Sequence, residues 1–482
     1  MRRGRAGRRG GSKALGSQAV TGRRFRTLGL SRSDVDDTPG GQLTFAAAAA
    51  VVGALTGLTA ATFRLLLEHV GQARIELVRW AHGSPVLGFA LVILCCATAT
   101  SAAAWLVHRV EPRAEGSGIP RVEAVVEGRT PPGRFRILPV KYVGGLLSIG
   151  SGLALGREGP SVQMGGTIAV IVGSVLRRSR SDVRLLVAAG AAAGLATAFN
   201  APIAGGVFVL EELVKRFDPR TTLATLLASA AGFASAHLLL HPSAAADFRV
   251  PALADPTLAQ APLVIVVGVT SGLLGVAYNA AVMKGLRVAD TNRWPVVARA
   301  ALIGSLVGAL GWIAPGVVGG GDNLTQQALL GQGTVAAVTG LLVLRFVLGV
   351  LSYAACTPGG LFAPMLVLGS HLGLLVGLVG HMVVPHQTPE PAALALIAMA
   401  AFFTATVRAP VTGIVLATEM TASTTLLAPM LGACAIAMLT ANAFRSTPIY
   451  DQLTQRAVSA FRVNTVQAPS EKALALGRET SK

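Results

Sequence analysis

Charged and aromatic side chains are both scarce in this chain of 482 residues: 13% of its residues are Asp, Glu, Lys or Arg, and 5% are aromatic. Soluble domains carry about 25% charged residues, so this scarcity argues against a soluble protein. Several apolar windows reach the roughly 20 residues that a helix needs to cross a bilayer. The sequence therefore predicts an all-α, polytopic membrane protein. The clearest windows are Leu43–Phe63, Pro85–Val107, Leu263–Met283 and Leu427–Phe444.

Cysteine is nearly absent, and its four copies, Cys95, Cys96, Cys356 and Cys434, all fall in apolar segments without the spacing of metal ligands. A membrane-embedded hydrolase would need a nucleophile and a base within reach of each other. No histidine-containing motif here pairs with a serine or a cysteine. We therefore predict no metal site, no cofactor and no enzymatic activity.

Acidic residues are too few to balance the basic ones, and the net charge of +18 raises the question of nucleic-acid binding. The location of the charge decides against a nucleic-acid partner, because ten Lys or Arg fall within the first 37 residues against three acids. Positive residues that flank membrane spans mark the cytoplasmic side. We interpret residues 1–41 as a basic, disordered cytoplasmic arm that can also touch anionic lipid.

The sequence contains one long internal repeat. Residues 141–166 align with residues 345–370 at an offset of 204, and residues 200–212 align with residues 408–420 at an offset of 208. Two matches in the same order and at nearly one offset indicate two homologous halves. The matched pairs include Ser148 with Ser352, Gly156 with Gly360, Pro160 with Pro364, Pro202 with Pro410 and Glu211 with Glu419.

The boundary between the halves is residues 241–262, a stretch rich in proline with one Arg and two Asp. Since both termini are basic, the positive-inside rule places them in the cytoplasm and this linker outside. The second half then enters the membrane from the opposite face, which predicts two inverted-topology repeats. The predicted domains are membrane repeats at 42–240 and 263–461, followed by a cytoplasmic tail at 462–482.

Three segments combine a glycine-rich turn with a proline near the start of the next helix: GSGIP from Gly116, GREGP from Gly156 and GGLFAP from Gly359. A helix start leaves N–H groups unpaired and favours an anion, and glycine lets the backbone approach that anion closely. One such start is a weak signal, but three in one membrane domain favour a shared anion pocket. Glu158 stands where the anion would lie, although a glutamate that merely caps its helix is the alternative.

These three motifs, together with NAP…LEE (Asn200 to Glu212) and PIY (Pro448 to Tyr450), resemble the CLC family of chloride channels and chloride/proton antiporters. The resemblance extends from about Leu43 to Phe461. It implies tilted and broken helices in two inverted repeats, and a homodimer with a separate pore in each subunit. Little more than a tail follows Phe461, so we expect a prokaryotic-type member without the paired CBS domains of many relatives.

The resemblance also implies roles for particular residues. Ser117 and Tyr450 would donate hydroxyl groups to a central chloride, as would the backbone amides of Leu361 and Phe362. The amides around Gly159 would line an outer site, and Glu158 would be the gate that competes with the anion. Glu212 would pass protons from the inside; for Glu211 we prefer a structural hydrogen bond or a helix end at the cytoplasmic surface.

The leading hypothesis is therefore a chloride/proton antiporter in the inner (cytoplasmic) membrane, with bromide or nitrate as further anions. A passive voltage- or pH-gated chloride channel of the same fold is the alternative. A cation/proton exchanger would instead need unpaired acids in broken helices. Three basic residues remain ambiguous: Arg157 is interpreted as partial charge compensation, and Lys141 and Arg345 either snorkel to an interface, which is the structural interpretation that we prefer, or add positive potential near the pore.

Overall fold

The computed structural model describes residues 39–240, 247–254 and 256–459, so the basic arm up to residue 38, the tail, and linker residues 241–246 and 255 lie outside the described residues. The four apolar windows lie in α1, α2, α9 and α16, which confirms the helices predicted there. Seven helices are long and apolar enough to cross a membrane, and the backbone of the described residues forms no sheet. The helices are α1 (Pro39–Ala81), α2 (Pro85–Arg109), α3 (Ile119–Val126), α4 (Ile137–Gly150), α5 (Glu158–Val175), α6 (Arg180–Phe199), α7 (Pro202–Phe208), α8 (Pro219–Ala236), α9 (Ala261–Thr291), α10 (Val296–Ile313), α11 (Asp322–Leu329), α12 (Val335–Tyr353), α13 (Phe362–Val383), α14 (Pro391–Val407), α15 (Pro410–Thr421), α16 (Leu427–Ala443), and a last helix at residues 449–459.

The first eight helices correspond in order to the next eight. Helix α1 packs on α8 as α9 packs on α16, and α5 packs on α6 as α13 packs on α14. Glu211, beyond the end of α7, accepts hydrogen bonds from the first amides of α15, at 3.1 Å from Val411 and 2.7 Å from Thr412. Glu419, near the end of α15, accepts in return from the first amides of α7, Ile203 at 3.0 Å and Ala204 at 2.6 Å. The equivalent helices α7 and α15 are therefore antiparallel, as inverted repeats require.

These reciprocal caps give Glu211 a structural hydrogen bond, which is one of its two predicted roles. Each helix starts with a proline that has no N–H, so the carboxylate satisfies the next two donors. We expect Glu211→Gln and Glu419→Gln each to cost about 1–2 kcal/mol, because a neutral amide is a weaker acceptor than a carboxylate. Thermal unfolding of the purified protein would show a lower midpoint for both. Glu76→Gln, an exposed position on α1, is the control, and a midpoint no lower than in this control would contradict the capping role.

The two halves meet around a local two-fold axis. Gly156 and Gly360, which are equivalent in the repeat, exchange both N–H···O hydrogen bonds at 2.8 Å. Ser148 Oγ donates to the carbonyl of Pro358, and Ser352 Oγ accepts from the amide of Ala154 at 2.9 Å. Since each serine binds the loop of the other half, the broken segments of both repeats are fixed against each other at the centre of the protein.

Candidate anion and proton site

Three helix starts converge at this centre. Helix α3 begins after Gly118 (φ 84°), and the residue that precedes each of α3, α5 and α13 makes no side-chain hydrogen bond to the first turn. A Cβ added to Gly159 would lie 2.4 Å from Ser117 Oγ, and one added to Gly360 would lie 3.1 Å from the amide nitrogen of Gly159. Only glycine permits this approach. The predicted meeting of the three glycine-proline turns is confirmed, and the N–H groups of these helix starts give the centre a positive potential.

The carboxylate of Glu158 lies inside this convergence. Glu158 is the first residue of α5 and only 2% exposed, and its carboxylate lies close to the backbone amides of Glu158 and Ala363 at the starts of α5 and α13. A Cβ added to Gly156 would lie 1.9 Å from Oε2, so the side chain folds back over that glycine. The two alternatives for Glu158 are therefore not exclusive, because the carboxylate that lies at its own helix start also fills the position favoured by an anion.

Two hydroxyl groups at the same centre lack a partner. Ser117 Oγ and Tyr450 Oη are buried, and neither has a hydrogen-bond partner in the described part of the chain. Buried polar groups are normally paired, and these two hydroxyl groups are free to donate to an acceptor at the centre. Leu361 and Phe362, at the start of α13, are fully buried, so their backbone amides are shielded from bulk solvent.

Lys141 and Arg345 hold the loops that lead to two of the short helices. Neither snorkels to an interface, because both are at most 1% exposed. Lys141 Nζ donates to the carbonyls of Ala114 (3.0 Å) and Gly116 (2.6 Å), just before Ser117. Arg345 donates to the carbonyls of residues 317, 319 and 320 at 2.8–3.1 Å, just before α11. The predicted snorkelling is therefore wrong, and both side chains instead hold the backbone carbonyls of these loops in place.

A cavity of about 440 Å³, here called the Glu158 cavity, is lined by Glu158, Arg157 and the charged residues around them. Arg157 donates to the carbonyl of Ala198 at 3.0 Å and to Asp322 at 3.2 Å, and it lies 3.8 Å from Asp247. This arrangement fits the interpretation of Arg157 as charge compensation. The two aspartates were missed in the sequence, because nothing in their local pattern connects them with Arg157.

A second cavity of about 770 Å³, the Ser117 cavity, is lined by Ser117, Tyr353 and Arg456 among others, and no residue lines both cavities. Glu158, Ser117 and Tyr450 are each at most 2% exposed. Solvent in the two cavities therefore hardly reaches these three side chains.

Residues 99–442 match the model of a family described as voltage gated chloride channel. The chain belongs to this family. It is 34% identical over 432 residues to the H(+)/Cl(-) exchange transporter ClcA of Vibrio parahaemolyticus, covering 88% of this chain and 92% of the relative. It is 35% identical over 420 residues to ClcA of Salmonella typhimurium, covering 85% and 88%. A solved structure described as a slow cyanobacterial Cl-/H+ antiporter superposes with a TM-score of 0.82 at 32% identity, over 86% of this chain and 98% of the other.

In this family member, Glu212 lies on a turn of π-helix, Val209–Leu213, that follows α7 directly. A π-helical turn contains one extra residue compared with an α-helical turn, and such turns are frequent at functional sites. Glu212 is 4% exposed and its Oε1 has no partner among the described residues, whereas its neighbour Glu211 faces α15. Phe208 directly precedes this turn, and its ring lies 6.4 Å from that of Tyr450 and 5.5 Å from that of Phe362. The turn that carries Glu212 therefore adjoins the aromatic side chains at the centre.

Lys215 is a further charged residue that the sequence did not single out. It follows the π-helical turn and forms ion pairs with Asp451 at 2.8 Å and Glu123 at 3.0 Å. Burial alone would lower the pKa of Lys215, but the hydrogen bonds and charges of Asp451 and Glu123 outweigh burial and raise it above its ordinary value. Lys215 therefore stays charged over the physiological range and supplies a fixed positive charge near Glu212.

Proposed function

We propose that this chain is a secondary active transporter that exchanges chloride for protons, and that Glu158 is the gate at which the two ions compete. The observation that carries the proposal is the placement of the Glu158 carboxylate where three helix starts converge, together with two unpaired hydroxyl groups at the same centre. The names of the relatives support exchange over the alternative, a passive channel.

Chloride would bind between the hydroxyl groups of Ser117 and Tyr450 and the amides of Leu361 and Phe362, with an outer position near Gly159. Two unit negative charges about 4 Å apart repel by roughly 4 kcal/mol at an effective dielectric constant near 20. The carboxylate of Glu158 and a chloride ion therefore exclude each other. Protonation removes the charge of Glu158, frees its side chain and lets chloride pass. Each turnover therefore moves chloride in one direction and a proton in the other.

Protons would reach Glu158 from the cytoplasm through Glu212. In this arrangement the Ser117 cavity opens to the cytoplasm, the Glu158 cavity opens to the outside, and both chain termini lie in the cytoplasm. We place the protein in the bacterial inner membrane as a homodimer surrounded by lipid, and include bromide and nitrate among the anions to be tested.

Reconstitution in liposomes tests the exchange. A chloride gradient should drive protons against their own gradient, and Glu212→Gln should reduce this proton movement to the level of empty liposomes while chloride flux continues. The reason is that glutamine matches the shape of Glu212 but cannot release a proton. Simultaneous chloride and pH electrodes measure both fluxes.

Glu211→Gln is the matched control for Glu212→Gln, because the Glu211 carboxylate accepts hydrogen bonds from the first amides of α15. This control should keep proton transport even if it is less stable. Wild-type protein that never moves protons uphill would overturn the exchange and leave the channel as the function. Uphill proton transport in Glu212→Gln would remove only the role of Glu212.

A further inference from the structure

The helix that carries Tyr450 is connected by two groups of polar contacts to the region around α3, the helix that follows Ser117. Tyr450 lies at the beginning of the last helix (residues 449–459), and Ser117 lies just before α3. For chloride to pass from the centre into the Ser117 cavity, the side chains of these two residues have to separate. The contacts between the last helix and the α3 region therefore bear directly on the opening of this side.

The first group of contacts is the Lys215 cluster, formed by Lys215, Asp451, Glu123 and Thr454. Lys215 Nζ lies 2.8 Å from Asp451 Oδ1 and 3.0 Å from Glu123 Oε1, and Thr454 Oγ1 donates to Glu123 Oε2 at 2.6 Å. The Glu123 side chain is 1% exposed, so Lys215 and Thr454 bind its two oxygens where water hardly reaches. Lys215 has a φ of 56°, an uncommon value for a residue with a side chain, which the surrounding contacts maintain. Asp451 directly follows Tyr450.

The second group is the Arg456 cluster, formed by Arg456, Asp290 and Glu115. Arg456 binds both oxygens of Asp290, at 2.9 Å through Nε and at 2.7 Å through Nη2, and reaches Glu115 Oε1 through Nη1 at 3.0 Å. Such two-pronged pairs fix orientation as well as distance. Glu115 stands two residues before Ser117, and Asp290 lies near the end of α9. The cluster thus connects the Tyr450 helix to the Ser117 loop and to the second repeat.

We propose that the Lys215 and Arg456 clusters are two clasps that hold Tyr450 against Ser117 and so keep the centre closed towards the Ser117 cavity. The proposal rests on the proposed function, in which this cavity is the chloride route to the cytoplasm. Strict exchange requires that the two routes out of the centre never open together. A loosened clasp shifts the population towards the state open to the Ser117 cavity, and chloride then passes without its proton.

The clasp residues do not touch the proposed anion position or Glu212 as hydrogen-bond partners, so they are positioning residues. Their loss should change the ratio of the two fluxes instead of stopping either one. A purely structural role would lower chloride and proton transport together and in proportion.

Asp451→Asn and Arg456→Gln, alone and combined, test the clasps in liposomes. We expect the number of chlorides moved per proton to rise by about two- to fivefold in each single variant, since partly exposed ion pairs bias an equilibrium modestly. The double variant should show a larger rise, with chloride turnover equal to or above that of the wild type. Gln455→Ala is the matched control, an exposed position on the same helix, and should leave the ratio unchanged.

Arg456→Lys keeps the charge but not the two-pronged geometry, so it should give an intermediate ratio, and its thermal midpoint shows whether the fold persists. An unchanged ratio in both single variants, or a proportional fall of both fluxes in folded protein, would overturn the clasps. If wild-type protein carries no protons, the exchange itself fails, and chloride efflux alone then decides: the clasp variants must exceed both wild type and Gln455→Ala, and equal efflux overturns the clasps.

Discussion

Glu158→Gln is expected to abolish proton transport completely while chloride continues to cross the membrane. Glutamine has nearly the shape of glutamate, so the turn between Gly156 and α5 should persist. It carries no charge and has no group that titrates near neutral pH, so it neither repels chloride nor carries a proton. The repulsion of roughly 4 kcal/mol between the Glu158 carboxylate and chloride corresponds to an almost thousandfold change in chloride occupancy of the site. This repulsion is absent in the variant.

Two measurements separate this outcome from general damage. Chloride flux through Glu158→Gln should no longer depend on pH, and calorimetric titration should show chloride binding at least as tight as in the wild type, because the competing carboxylate is gone. Glu68→Gln lines the same cavity at an exposed position and should behave as the wild type. Proton pumping by Glu158→Gln would contradict the gate, whatever its chloride flux.

The sequence predicted the centre of this site because glycine and proline carry local information. A glycine-rich turn before a proline indicates a helix start whatever surrounds it, and the internal repeat then related residues that lie two hundred positions apart. Glu211 and Glu419, which align in the repeat, cap each other's helices. Ser148 and Ser352, which also align, each form a hydrogen bond to the loop of the other half. The repeat therefore supplied tertiary information that single motifs lack.

The ion pairs around the site could not be predicted in the same way. Lys215 pairs with Glu123 and Asp451, which are 92 and 236 positions away, and neither pair has an equivalent in the other half. The packing of distant helices brings such charges together, so the sequence around each residue does not identify its partner. The π-helical turn at Glu212 could not be predicted either, because its sequence would also fit an ordinary α-helix.

Both the packing of the helices and the proposed anion site depend on glycine, which has no side chain. Lipid offers no hydrophobic drive for helices to associate, so small residues that let backbones approach closely must supply the contact. On α5, Gly165 crosses α6 at Gly190, and a Cβ on Gly165 would lie 2.1 Å from the carbonyl oxygen of Gly190. Near the beginning of the same helix, Gly159 approaches Ser117. One helix thus uses glycine once for packing and once for the anion site.

Alanine at three glycines of α5 should therefore give three different results, of which Gly159→Ala is the most severe for transport. Its Cβ would lie 2.4 Å from Ser117 Oγ and 2.6 Å from the Ser117 carbonyl oxygen, so the loop before α3 must move. A displacement of about 1 Å at a reacting centre can cost on the order of a hundredfold in rate, and we expect chloride turnover to fall by that order. Chloride binding measured by calorimetry should weaken in parallel.

The two other alanines separate loss of the site from loss of packing. Gly165→Ala meets backbone of α6 far from the anion and should lower the thermal midpoint, by overpacking worth about 1–3 kcal/mol, with chloride affinity preserved in the folded fraction. Gly166→Ala finds no atom closer than 3.4 Å and should be tolerated, since alanine also favours a helix by up to about 1 kcal/mol over glycine. If Gly159→Ala transports chloride within about twofold of Gly166→Ala, α5 and the Ser117 loop do not meet at the anion, and the convergence of helix starts cannot be what binds it.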